Sequence, residues 1–203
     1  MTITLHRDDL PDDITFAGSV AIDTETQGLN PLRDRLCLVQ LSSGDGTAHL
    51  VQIGKQSTPG PKLKQLCVDP GIQKIFHFAR FDVAVLSNYL GINISNVYCT
   101  KIASKLVRTY TDRHGLKDLC SELLSIELSK QQQSSDWAAD TLSNSQQKYA
   151  ASDVLYLHDL KSKLDAMLER ENRVELAQAC FDFLPTRAAL DLKGWDDMDI
   201  FAH

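Results

Sequence analysis

The stretch Ser19-Val20-Ala21-Ile22-Asp23-Thr24-Glu25-Thr26 decides the fold. Three apolar residues in a row, followed by the turn-forming Gln27-Gly28-Leu29-Asn30-Pro31, read as a buried strand over Ser19–Thr24 that ends in a turn. Residues two apart on a strand leave by the same face, so Asp23 and Glu25 project together at its end. Adjacent carboxylates repel unless a proton or a cation sits between them. The pair is either two loop acids capping the next turn or half of a cation site.

Working outward, Arg35–Ser42 and Thr47–Ile53 flank Gly44-Asp45-Gly46 and read as a hairpin. The stretch GKQSTPGP from Gly54 is a loop, and Lys62–Val68 a short helix. Lys74–Phe78 is a fourth strand, Phe81–Leu90 a helix closed by Gly91, and Val97–Cys99 a brief fifth strand. Thr100 is placed to cap a helix reaching Arg108, and His114–Leu124 forms another. Gln131–Ser135 is a loop. Ser143 and Gln146 make a capping box that opens a long helix to Arg170, and a last helix covers Arg173–Phe183 before Pro185. Strands first, then helices alternating with strands, imply an α/β domain around one mixed sheet flanked by helices. No internal repeat or Gly/Ser linker divides the 203 residues, so one domain, residues 1–203 with a C-terminal helix and tail, is expected.

The chain carries 21 Lys+Arg against 27 Asp+Glu, a net charge of -6. That excludes a bulk electrostatic grip on long nucleic acid but not a small substrate held through metal ions. The cysteines at 37, 67, 99, 120 and 180 have neither CxxC pairing nor zinc spacing, and their scatter suits free thiols in a reducing cytoplasm. The N-terminus lacks the apolar core of a signal peptide, and no apolar run reaches the ~20 residues of a membrane span.

Two further acids stand in apolar surroundings. Asp82 lies within KIFHFARFDVAVL at a strand-to-helix passage, either as a first-turn acid favoured by the helix dipole or as a ligand. Tyr149 and Asp153 are i and i+4 on one helix face among Ala150, Val154 and Leu157. Buried charges are paired or bind metal. An all-oxygen set of Asp23, Glu25, Asp82 and Asp153 suits two Mg²⁺ or Mn²⁺ ions, with Tyr149 positioning or deprotonating a water.

The strings DTET, HFARFD and YAASDV resemble the three motifs of the DEDD exonucleases, and the tyrosine four before the last acid marks the DEDDy branch. The segment Lys130–Trp137 resembles the one that precedes the third motif in ribonuclease D. The stretches TKIASKLVRTYTDRHGLK, SKQQQSSDWAA and GWDDMDIFAH resemble the nanoRNase C family. The resemblance implies a ribonuclease-H-like fold and 3′→5′ hydrolysis of short oligoribonucleotides, especially dinucleotides, to 5′-mononucleotides. It also implies Glu25 near the terminal 3′-hydroxyl and a ring-like homo-octamer. The alternative is a broader ribonuclease-D-like enzyme trimming RNA or DNA 3′ ends.

Substrate contacts are expected from several places. Lys101, Lys105 and Arg108 fall on one helical face as a phosphate grip, and Arg113 and His114 lie near a bend where they can cap a terminal phosphate. Thr24 sits between the first two acids. Leu29 is either a wedge between two bases or a core leucine under the turn. His77 either touches a sugar or phosphate or is structural. Gln133, Ser135 and Trp137 line the groove by resemblance to ribonuclease D, while Trp137, beside Ala138-Ala139, also reads as a core anchor.

Overall fold

The computed structural model describes residues 1–203 apart from 56, 58, 59, 130 and 203. The middle of the GKQSTPGP loop, Lys130 of the ribonuclease-D-like segment and the final His203 therefore lie outside the described residues.

A six-stranded mixed sheet forms the centre: β1 (Thr2–Arg7), β2 (Ser19–Thr26), β3 (Leu36–Ser42), β4 (Thr47–Gln52), β5 (Gln73–Phe76) and β6 (Val97–Cys99), in the order β1-β4-β3-β2-β5-β6. β2, β3 and β4 run antiparallel, whereas β5 joins β2, β6 joins β5 and β1 joins β4 in parallel. Every residue of β3 is buried, as expected for a strand covered on both faces. Around the sheet lie α1 (Pro61–Val68), α2 (Ala79–Leu90), α3 (Thr100–Val107), α4 (Leu116–Leu119) running into a π-helical turn at Cys120–Leu124, α5 (Asn144–Leu155), α6 (Leu157–Arg170) and α7 (Val174–Leu192).

Several boundaries differ from the sequence reading. β2 runs on to Thr26, so the two acids belong to the strand itself, and a bulge between Glu25 and Thr26 bends it next to them. β1 was not anticipated; it is a polar edge strand whose parallel partner, starting at Thr47, is distant in sequence. Thr100 does not cap α3: Cys99 is the N-cap, and the Thr100 hydroxyl donates to the Phe76 carbonyl. The capping box holds, with Gln146 N–H on Ser143 Oγ at 3.2 Å and Ser143 N–H on Gln146 Oε1 at 2.9 Å. The helix it opens breaks at Tyr156, because α5 covers β3 and β4 while α6 turns onto α3 and β5. α7 passes through Pro185, which costs a backbone hydrogen bond; packing on α2 and the pairing of Asp191 with Arg80 and Arg187 hold its last turns.

Candidate active site

The first two acids reach the site from β2, whose Val20-Ala21-Ile22 is sealed in the core. Asp23 lies directly across from Gln40 on β3, and Gln40 Nε2 donates to Asp23 Oδ2 at 3.2 Å. Asp153 comes down from α5. One oxygen each of Asp23, Glu25 and Asp153 lie within 4.8 Å of one another. The fourth acid, Asp82 in the first turn of α2, is buried and accepts a 2.6 Å hydrogen bond from Thr24 Oγ1. It thus stands one step behind the cluster, tied to the residue between Asp23 and Glu25.

The electrostatics match this crowding. Burial pushes Asp23 up to about 7. Glu25 rises to about 10, from burial first and then from the neighbouring carboxylates. Asp82 and Asp153 are also held well above the usual carboxylate range by burial and by Asp23. Among the described residues, no lysine or arginine forms an ion pair with any of the four. Four desolvated acids without a cationic partner, offering oxygen alone, fit a hard divalent cation.

Asp23, Glu25 and Asp153 line a groove of about 670 Å³, inside the roughly 300–1,000 Å³ of small-ligand clefts. Tyr149 lines it one helical turn before Asp153, its phenol held protonated by burial and by the carboxylates. Trp137 does both jobs weighed for it: it is 3% exposed, its ring centroid lies 6.0 Å from that of Tyr149, and it borders the groove. Its indole N–H is buried with no partner among the described residues. Thr24, Leu29, His77, Gln133 and Ser135 also line the groove. Leu29 is 87% exposed, which removes the reading of a core leucine.

The basic residues fall out differently. Arg108 has no exposed surface and is spent on Ser104 Oγ, the Arg113 carbonyl and the Glu122 carboxylate, so it is corrected from phosphate grip to structural clamp. The helix ends at Val107, which turns Arg108 off the face it would share with Lys101 and Lys105. Arg113 pairs with Asp118 and Glu122, and His114 Nδ1 lies 2.8 Å from Ser104 Oγ. Neither they nor Lys105 border the groove; among the described residues its cations are Lys101 and Lys117. Four lining residues were not named as contacts in the sequence reading: Gly115, Leu116 and Lys117, taken as the first turn of a helix, and Phe78, taken as strand. Phe78 in fact adopts a left-handed φ of 66°, unusual for an aromatic residue, stands exposed at the groove and carries the Lys101 ammonium 4.1 Å from its ring centroid. The signal for Gln40 was available: one amide set between apolar Val39 and Leu41 in a strand that is apolar up to that point.

A sequence profile of the 3′-5′ exonuclease family matches residues 8–169. The chain belongs to this family. Among solved structures, NrnC of Brucella melitensis bound to pGG is 60% identical, with a TM-score of 0.96 over 100% of this chain and 99% of that one. The same Brucella protein with bound Mg²⁺ is 59% identical, with a TM-score of 0.95 over the whole of both chains. DNA polymerase I of Aquifex aeolicus is 37% identical over 85% of this chain and 28% of its own. Ribonuclease D of Gluconacetobacter diazotrophicus is 34% identical over 77% of this chain and 39% of its own. The chain thus spans well under half of these two curated relatives. With the mixed sheet in place, it is a short ribonuclease-D-like DEDD exonuclease of ribonuclease-H-like fold.

Proposed function

We propose that the protein is a metal-dependent 3′→5′ exoribonuclease that hydrolyses short oligoribonucleotides, dinucleotides above all, to 5′-mononucleotides. The observation that carries this is the cluster of Asp23, Glu25 and Asp153 in the wall of a groove of small-ligand size, backed by Asp82. Support for the short substrate comes from the pGG bound to the Brucella relative.

In this reading Asp23, Glu25, Asp82 and Asp153 hold two Mg²⁺ or Mn²⁺ ions. When bound, such ions supply a water of lowered pKa and neutralise charge on the leaving oxygen. Gln40 and Thr24 fix the rotamers of Asp23 and Asp82 through the hydrogen bonds above. Glu25 also meets the terminal 3′-hydroxyl. Tyr149, kept protonated, orients the attacking water by hydrogen bonding. The water oxygen bonds to phosphorus, the P–O3′ bond breaks, and the 3′ oxygen of the preceding nucleotide leaves with a proton. Leu29 wedges between the two bases, and Gln133 and Ser135 contribute to the same groove. Lys101 and Lys117 take the place expected of Lys105, Arg108, Arg113 and His114 as the grip on phosphate.

A length series of 5′-labelled RNAs from two to about ten nucleotides tests the reading, in Mg²⁺ and in chelator. Rates should fall steeply above the dinucleotide. A flat series would favour the broader ribonuclease-D-like trimming of RNA or DNA 3′ ends, for which the ribonuclease D likeness speaks. A cytoplasmic location and a homo-octamer complete the proposal. Among the described residues no helix is long and apolar enough to cross a membrane, and exposed Val174, Leu176, Met198 and Phe201 offer apolar surface for subunit contacts. Light scattering of the pure protein reads the assembly directly.

A further inference from the structure

His77 borders the groove with one ring nitrogen already committed. Its Nδ1 lies 2.9 Å from Thr100 Oγ1, and Thr100, wholly buried, donates its hydroxyl to the Phe76 carbonyl at 3.2 Å. A hydroxyl has one proton. With that proton on Phe76, the Thr100 oxygen accepts, and the ring hydrogen sits on Nδ1. The nitrogen left for an occupant of the groove is Nε2, a bare acceptor. The ring also stays neutral: burial, and then the charge of Lys101, push His77 down to about 3.

This narrows what His77 can touch. A phosphate oxygen is itself an acceptor and gains nothing from a neutral Nε2, so the partner must be a donor. On a nucleotide the donors are the sugar hydroxyls and some base edges. Base edges differ among the four nucleotides, whereas sugar hydroxyls are common to all. The terminal 3′-hydroxyl goes to Glu25 in the exonuclease reading, on which this inference rests. The 2′-hydroxyl remains, the group that separates RNA from DNA.

We propose that His77, locked by the Thr100–Phe76 relay as a neutral acceptor, is a specificity-determining residue that accepts a hydrogen bond from a ribose 2′-hydroxyl in the groove. The relay runs through the ends of β5 and β6, so the acceptor is set by the sheet rather than by a loop.

The test uses the full chain in Mg²⁺ with 5′-phosphorylated GG dinucleotides that carry ribose, 2′-fluoro or 2′-deoxy sugars at each position in turn. Fluorine keeps a ribose-like pucker but cannot donate. Wild type should hydrolyse the ribose form with a kcat/KM about tenfold above the 2′-fluoro and 2′-deoxy forms at one of the two sugars. His77→Ala should bring that ratio close to one, and His77→Gln, whose side-chain carbonyl reaches the Nε2 position, should restore part of it. Equal wild-type rates on ribose and 2′-fluoro at both sugars overturn the proposal without any variant. So does a ratio that His77→Ala leaves unchanged, or a discrimination that follows the base and not the sugar. No mononucleotide from any of these substrates would instead overturn the exonuclease reading itself.

Discussion

Two groups of buried charge share this domain and are resolved in opposite ways. Arg108 has no surface in contact with solvent, yet its guanidinium reaches Ser104 Oγ at 3.1 Å, the Arg113 carbonyl at 2.7 Å and the Glu122 carboxylate. Asp23, Glu25, Asp82 and Asp153 are crowded together with no cation of the chain's own among the described residues. The first group closes on itself: it ties the end of α3 to the π-helical turn through Glu122. The second is left electrostatically open, at a cost in stability that a bound proton or a cation removes. Sequence reading treated both as functional clusters. What distinguishes them is whether the chain supplies the counter-charge.

Removing a member of each group should therefore hurt different properties. Asp23→Ala or Asp153→Asn is expected to lower mononucleotide release in Mg²⁺ by about 10³-fold or more, since metal-assisted charge stabilisation is worth several kcal/mol. The melting temperature should stay unchanged or rise, because an uncompensated charge is lost. Wild-type cleavage by either variant would end the assignment of the cluster. Arg108→Ala should do the reverse, costing about 2–4 kcal/mol of stability by emptying a fully buried site and leaving the Arg113 carbonyl without its donor. Arg113→Ala, at a largely exposed pair, should cost at most about 1 kcal/mol. Urea denaturation of the two variants measures the contrast.

The pH dependence sharpens the same contrast. In the metal-free fold Asp23 and Glu25 keep their protons up to about 7 and about 10, whereas the unfolded chain releases them near 4. The native state therefore binds more protons, and stability falls as pH rises. The groove histidine is depressed to about 3 and is silent above the unfolded value of about 6.5. Between pH 7 and 9 the melting temperature in chelator should drop by several degrees. Glu25→Gln should flatten the slope, and Mg²⁺ should raise the melting point more at pH 9 than at pH 7. A melting point that climbs across this window in chelator contradicts the open cluster.

What the sequence disclosed follows local physics. The shared face of Asp23 and Glu25 comes from strand alternation, Tyr149 beside Asp153 from helical spacing, and the start of α5 from a capping box four residues long. Each needs only neighbours in the chain. What it withheld depends on partners far away. β1 exists because β4 offers an edge. Pro185 stays helical because Arg80, from another helix, shares Asp191 with Arg187. Arg108 is buried because Glu122 comes from a later turn to meet it. A basic periodic face reads the same whether it meets solvent or a carboxylate, so no spacing rule separated Arg108 from Lys101.

That last point yields the smallest effect and the finest test. Lys101, Lys105 and Lys117 are equal in charge and close in sequence, but only the first and third border the groove. If proximity to the groove decides, Lys101→Ala and Lys117→Ala should each raise KM for a 5′-phosphorylated dinucleotide about tenfold, the worth of one charge-assisted hydrogen bond of ~1.4 kcal/mol. Lys105→Ala should stay within about twofold, because an exposed charge beyond the groove acts only through a screened field. The tenfold effects should shrink on a dinucleotide lacking the 5′-phosphate if that group is what the lysines hold. A Lys105 effect equal to the other two would mean that the general field of the 101–117 segment, and not the groove wall, draws the substrate in.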